Sequence, residues 1–507
     1  MLKRSCGVLL PVTSLPSAYG IGCLSREAYA FVGFLEEAGQ SYWQILPLGQ
    51  TGYGDSPYQS FSTFAGNPYL IDPGVFVEKG YITEADAAAS WENADAEYVD
   101  YERMYRHRYP LLKKAYHNSP FSLTPAAPWN GREYDDERKD FEAFLSRSEA
   151  WLPDYALYCA VKEHFGGKCF VEWEDGIRSR DPEACRYYRE LLADEIRYVS
   201  FLQYCFDTQW YALKFYANSR GVRIIGDIPI YVAFDSADTW SHPELFELDE
   251  EGYPTVVAGC PPDAFSETGQ LWGNPIYRWD RHRQTGYAWW INRLRRCFAL
   301  YDMVRIDHFR GFDEYYAIPY GARMAMNGAW RQGPGYDLFR EMERQLGKQE
   351  IIAEDLGYLT PSVHELLAQT GYPGMKVLQF AFDTAEDSDY LPHNYPKNCV
   401  VYTGTHDNDT TRGWFDSQPE WVKDNVRNYC GTRDDRFVVD DMVRLALRSR
   451  AALAVIPMQD YLELGGEARI NIPSTLGINW KWRMLPDMCT EALAERMREL
   501  ARTYRRL

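Results

Sequence analysis

Four apolar runs in this chain end in ionisable side chains of types that could do chemistry together. VRIDHFRG, residues 304–311, packs Arg305, Asp307, His308 and Arg310 into six positions; IIAEDLG from Ile351 ends in Glu354 and Asp355; VVYTGTHD from Val400 ends in His406 and Asp407; and RIIGDIPIYV from Arg223 holds Asp227. Side chains two apart on a strand share a face, so Arg305 and Asp307 are expected to point the same way, with the fixed cation lowering the pKa of Asp307 and keeping it ionised. Glu354 has no basic residue within two positions and follows Ile351, Ile352 and Ala353. Burial and neighbouring carboxylates are therefore expected to hold its proton to higher pH, as a general acid requires. One carboxylate kept charged beside another kept protonated is the division of labour of glycoside cleavage, where a nucleophile attacks the anomeric carbon while an acid protonates the departing oxygen. Asp407 would then hold sugar hydroxyls or stabilise positive charge on the ring.

Other readings of the same residues stay open at this level. Asp307, Arg305 and Arg310 also suit a structural ion-pair network, and THDN suits a turn with Asx caps. A divalent metal held by the three acids is a second functional reading, against which Arg305 places a cation beside a ligand and no Lys stands near these runs as a base. Aromatic side chains add a further element. TGYGDSPYQSFSTFAGNPYLID is rich in Tyr, Gly, Asp, Ser and Asn, and rings such as Tyr53 and Tyr58 could stack on a pyranose. Trp272, with Gln270 and Asn274 in GQLWGNP, offers the same chemistry elsewhere in the chain.

These groups need a scaffold that gathers the ends of distant strands. Eight runs have strand character, beginning at Gly7, Tyr42, Arg223, Met303, Ile351, Met375, Val400 and Leu453, and most are followed by a helical pattern. EAYAFVGFLEEAG puts Ala28, Phe31, Val32 and Leu35 on one face and stops at Gly39; YAWWINRLRRCFALY puts Trp290, Ile291, Leu294, Cys297, Phe298 and Tyr301 on one stripe; Thr360 and Pro361 open a third helix, closed by Gly371. Eight strands alternating with helices predict a (β/α)₈ TIM barrel, whose catalytic groups collect at the C-terminal mouth. The open doubly wound sheet is the rival, and the chain lacks its G-x-G-x-x-G run. The expected organisation is a single catalytic barrel over residues 1–507, a mainly helical subdomain inserted at 50–220, and an active-site loop region at 233–285 whose glycines and prolines suit an ordered loop.

Composition narrows the partners. A net charge of −19 repels phosphate backbones and anionic lipids, so neither nucleic acid nor membrane is expected. No run approaches the roughly 18 apolar residues of a bilayer span. The eleven Cys never form C-x-x-C and are read as buried apolar residues of a soluble, cytoplasmic protein. Neither metal nor other cofactor is called for.

The chain resembles the bacterial 4-α-glucanotransferases, also known as amylomaltases or disproportionating enzymes, within the α-amylase-like retaining glycosidases. The likeness runs from about Gly7 to Arg483 through GYGDSPYQSFSTFAGNPYLID, GDIPIYV, PPDAFSETGQLWGNPIYRW, VRIDHFRGF, AEDLG, MKVLQFAF, TGTHDND and INWKWR. The resemblance implies that Asp307 is the nucleophile, Glu354 the acid/base and Asp407 the third carboxylate that grips the sugar, with Arg305 and His406 orienting them and Tyr58 stacking on the donor sugar. Asp227, Ser56, Trp272, Asn274 and Asp383 fall in motifs that line sugar subsites, and Tyr53 matches an aromatic near a secondary glucan groove. The resemblance also implies no separate C-terminal β-domain, and only some 45 residues follow the eighth run, which agrees. The expected reaction cleaves an α-1,4 link in a maltooligosaccharide or starch-like glucan and passes the covalently held segment to an acceptor 4-hydroxyl. A retaining pair about 5 to 5.5 Å apart is required. An α-glucan hydrolase using the same intermediate is the alternative, and oligomeric state is left open.

Overall fold

The computed structural model describes every residue except 1, 53, 90, 92–93, 127–133, 263–267, 358 and 384–386. Each of the eight apolar runs carries a strand: β1 Ser5–Leu9, β2 Tyr42–Gln44, β3 Arg223–Pro229, β6 Met303–Asp307, β9 Ile351–Ala353, β10 Gly374–Val377, β11 Cys399–Tyr402 and β12 Leu453–Pro457. They form one all-parallel sheet in the order β10-β11-β12-β1-β2-β3-β6-β9, which curls into a barrel. Its ends meet at a seam where the Ala353 N–H donates to Pro373 O at 3.0 Å. Alternation along the strands sorts the side chains. Leu9, Tyr42, Ile225, Met303, Ile352, Met375, Val400 and Leu453, one from each strand, pack in the barrel interior with Tyr402 and Val455, whereas Val8, Ile224, Val304, Val401 and Ala454 face the surrounding helices.

The helices bear out the periodicity argument. Helix Arg26–Glu37 buries Ala28, Phe31, Val32 and Leu35, and Gly39 ends the turn with φ 67°. Helix Ala288–Leu300 buries Trp290, Ile291, Leu294 and Cys297; Phe298 lies only partly in the core. On the same helix Arg293 is 1% exposed and donates to Pro229 O and Ile230 O, so a buried guanidinium ties the helix to the end of β3. Between β2 and β3 run helices that include Tyr101–His117, Asp135–Arg147, Leu152–His164, Pro182–Leu191 and Ala193–Ser219. They brace the aromatic segment at the barrel mouth. Gln203 on the last of them exchanges hydrogen bonds with Gly66 N and O at 2.7 and 2.9 Å, and buried Arg108 on the first donates to Ile71 O at 2.9 Å.

Within the region 233–285, expected as an ordered loop, two strands form, and they join two later ones in a second sheet. β4 Val256–Cys260, β5 Gln270–Pro275, β7 Glu314–Pro319 and β8 Ala329–Gln332 form an antiparallel sheet in the order β5-β4-β7-β8. Gly259, which reads as a loop residue, sits where β4 changes register against β5, and a Cβ there would lie 2.2 Å from Gln270 O. Glycine at this point marks a close strand approach beside a bulge rather than a break in the sheet. After β12 the described residues carry helical segments, ending with helix Glu491–Thr503, and no further sheet. No helix among the described residues is long and apolar enough to cross a membrane.

Candidate active site

Strand register brings the first charges together. β3 and β6 pair with Asp227 opposite Arg305 and Pro229 opposite Asp307. Arg305 Nη1 donates to both Asp227 oxygens at 2.8 and 2.7 Å, and Nη2 donates to Asp307 Oδ1 at 2.9 Å, so Arg305 and Asp307 share a face as expected. Asp227 is 0% exposed, and the Asp307 side chain is 29% exposed at the mouth. The guanidinium fills the space between these two carboxylates with a permanent charge, where a bridging divalent ion would have to sit.

A second chain of hydrogen bonds continues from Asp227. The Tyr58 hydroxyl donates to Asp227 Oδ2 at 2.9 Å; having one proton, it accepts from His406 Nε2 at 2.9 Å, which assigns the Nε2–H tautomer. Burial, with Asp227 adding, raises Tyr58 well above the usual phenol range, so it stays protonated. Its ring lies on the His406 imidazole at 5.2 Å and 14°. The turn that presents Tyr58 is built by Ser56, whose hydroxyl accepts from Tyr58 N at 3.3 Å. Asp407, with its side chain 44% exposed, opens to the same mouth. Its Oδ1 accepts from Asn471 Nδ2 at 2.6 Å, with His406 Nε2 at 3.4 Å, and Arg469 donates to its main-chain oxygen at 2.8 Å.

Glu354 is held differently. Its Oε2 accepts from His308 N and its Oε1 from Leu356 N, each at 2.7 Å. His308 adopts the left-handed region, with φ 52°, and follows Asp307 directly, so the turn out of β6 delivers an N–H to the carboxyl at the end of β9. Burial, then the charge of Asp307, pushes Glu354 up to about 7, against Arg305 and the two N–H donors. The expectation for Glu354 therefore holds in direction and cause.

The expectation for Asp307 is corrected. Its carboxyl is raised rather than lowered, because burial outweighs Arg305, and Asp227 and Asp407 add repulsion. Arg305 is shared with Asp227, so its pull on Asp307 is divided. When the two coupled carboxyls carry a single negative charge, contact with the guanidinium places it on Asp307.

Trp272 meets the His308 ring edge-on at 4.8 Å, with its Nε1–H donating to Gln270 Oε1 at 3.1 Å. Asn274 is 5% exposed, donating to Val232 O at 2.7 Å and accepting from Gln59 Nε2 at 3.2 Å, so its amide braces the mouth. Asp383 is exposed after β10, outside the hydrogen-bonded cluster. Tyr53 lies outside the described residues. Sequence reasoning missed Asn471 and Arg469 as the groups that hold Asp407; they lie in ARINIP, 64 and 62 positions beyond it, with no local pattern to mark them.

A model of the 4-alpha-glucanotransferase family matches residues 10–488 of this chain. The 4-alpha-glucanotransferase of Streptococcus pneumoniae is 48% identical over 509 residues, taking in 100% of this chain and 98% of its own length. That of Thermus thermophilus is 47% identical over 513 residues and all of both chains. The structure of amylomaltase from Streptococcus agalactiae in complex with acarbose superposes with a TM-score of 0.94 at 42% identity, covering 99% of this chain and 100% of that one. With the barrel, the strand-end carboxylates and these relatives in agreement, the chain belongs to the 4-alpha-glucanotransferase family.

Proposed function

We propose that this protein rearranges α-1,4-glucans by retaining double displacement, with Asp307 as nucleophile and Glu354 as acid/base. The observation that carries the reading is the contrast between the two carboxyls at one mouth: Asp307 touches a guanidinium, whereas Glu354 keeps its proton up to about 7. In the first step an Asp307 oxygen attacks the anomeric carbon, the glycosidic C1–O bond breaks, and the Glu354 proton passes to the departing 4-oxygen. In the second, an acceptor 4-hydroxyl attacks C1, its proton returns to Glu354, and the ester to Asp307 breaks. Asp407, fixed through Oδ1 by Asn471, offers its remaining oxygen to the donor sugar. Tyr58 and His406 wall the same side, where the resemblance places the donor sugar.

The relative captured with acarbose, an α-linked pseudo-oligosaccharide, supports maltooligosaccharides and starch-like glucans as donors and acceptors. Substrates of this kind fit a soluble enzyme of the cytoplasm. Trp272 at the mouth supports an acceptor that competes with water for the ester. Incubation with maltotriose alone tests the reading. Glucose together with a ladder of chains longer than maltotriose is the expected product pattern; shorter sugars alone would make the protein a hydrolase of the same intermediate.

A further inference from the structure

We infer that Asp355, the neighbour of the proposed acid/base, is its positioning residue: by closing the barrel seam it fixes the main chain that holds Glu354. This rests on the reading of Glu354 given above. Among the described residues, β9 and β10 are the barrel neighbours without a strand ladder between them. The gap is bridged by the main-chain bond from Ala353 N to Pro373 O and by the Asp355 side chain, whose Oδ1 accepts from Met375 N at 2.6 Å. A carboxylate thus takes the place of a ladder carbonyl. The partner strand is shaped to receive it, since a Cβ on Gly374 would stand 2.2 Å from Asp355 Oδ2.

The consequence reaches Glu354 through two adjacent peptide groups. Leu356 N–H, immediately after Asp355, donates to Glu354 Oε1 at 2.7 Å, so the anchored side chain of residue 355 sets the direction of that N–H. The same anchor orders the start of β10, where Met375 Sδ lies 3.4 Å from Arg305 Nε. Asp307 and Arg305 on β6 and Tyr390 after β10 are the ionisable groups that face Glu354. Lys376 on β10, Cys399 on β11, His364 on helix Pro361–Thr370 and Tyr390 face Asp355.

Substitutions on both sides of the seam test the inference. Asp355→Ala is expected to lower kcat about 10- to 100-fold with KM changed less than about threefold, the scale of a misplaced catalytic group. It should also move the basic limb of kcat to higher pH, because a slackened Leu356 N–H no longer favours the ionised Glu354. Asp355→Asn keeps an acceptor oxygen in place and should recover most of that kcat, with the limb not moved upward. Gly374→Ala, which drives a methyl into the carboxylate, should reproduce the Asp355→Ala loss, and the double variant should lose no more than Asp355→Ala alone. Losses that multiply, an Asp355→Asn variant as impaired as Asp355→Ala, or an Asp355→Ala limb that stays in place would overturn the inference. Glu354→Gln run in parallel separates two failures: if it leaves the basic limb intact, the acid/base reading itself is wrong, whereas if it abolishes a limb that Asp355→Ala does not move, only the role of Asp355 is.

Discussion

The two carboxyls at the centre of this site are held by opposite means. Around Asp307 the partners are side chains: Arg305 bridges it to Asp227, and Asp227 in turn takes the Tyr58 hydroxyl, which takes His406. Around Glu354 the hydrogen-bond donors are main-chain N–H groups, from His308 and Leu356. A guanidinium brings a full charge that no accessible pH removes, and peptide dipoles bring only partial ones. The first arrangement works against the burial that raises Asp307 and favours the negative charge on that carboxyl. The second orients the other without deciding its protonation, which leaves the proton exchangeable near neutrality.

The sharpest way to break this contrast is to neutralise the anion. Asp307→Asn keeps an oxygen for Arg305 but removes the proposed nucleophile, so kcat for maltotriose disproportionation should fall on the order of 10⁴-fold or more while thermal unfolding shifts little. A residual rate within about 100-fold of the parent would show that another group attacks C1. Arg305→Leu acts next, on stability. It leaves the fully buried Asp227 with Tyr58 as its remaining side-chain donor, at an expected cost of about 3–5 kcal/mol in denaturant unfolding. Replacing Asp227 by Leu as well should recover much of that loss, because the unpaired buried charge disappears with it. A cost below about 1 kcal/mol for Arg305→Leu would place this pair in the range of exposed ion pairs and remove the distinction.

The same contrast explains what the sequence made legible. Most of the barrel strands could be read because they are buried on both faces and so appear as apolar runs, as in LAVIP, buried throughout, whereas in β10 Gly374 and Lys376 are only partly buried and the run MKVLQFAF owes its apolar character to the residues that follow. β8 could not: Ala329–Gln332, AWRQ, is exposed along its whole length and carries neither alternation nor an apolar run. β4 was hidden differently: it is an apolar run with a buried centre, but the glycine at its register change, followed by Pro261 and Pro262, reads as a loop. Within the site, Arg305, Asp307, His406 and Asp407 were legible as ionisable residues ending apolar runs. The donors to Glu354 were not, since an N–H belongs to every residue type except proline and only the left-handed turn at His308 aims this one. Asp307 shifts opposite to the expected direction because the Arg305-x-Asp307 spacing shows the local partner but neither the burial that outweighs it nor Asp227, which reaches the same guanidinium from the neighbouring strand.

The smallest expected effect, and the most specific to the main-chain half of the site, lies in the pH dependence of stability. Glu354 titrates near 7 in the folded protein and near 4.3 when unfolded, so the folded state binds its proton more tightly. That contribution is complete below about pH 4 and is lost as pH rises through 7, which makes the buried anion a cost of at most roughly 3 to 4 kcal/mol above neutrality. Glu354→Gln stays neutral throughout. Its amide also turns an N–H toward one of the two main-chain donors, a penalty that does not vary with pH. Denaturant unfolding at pH 4 and pH 8 should therefore give a difference between variant and parent that moves in favour of Glu354→Gln as pH rises, whatever its starting value. A difference that stays flat would mean that the folded carboxyl ionises in its ordinary range, and the basic limb of the activity profile would then need another proton donor.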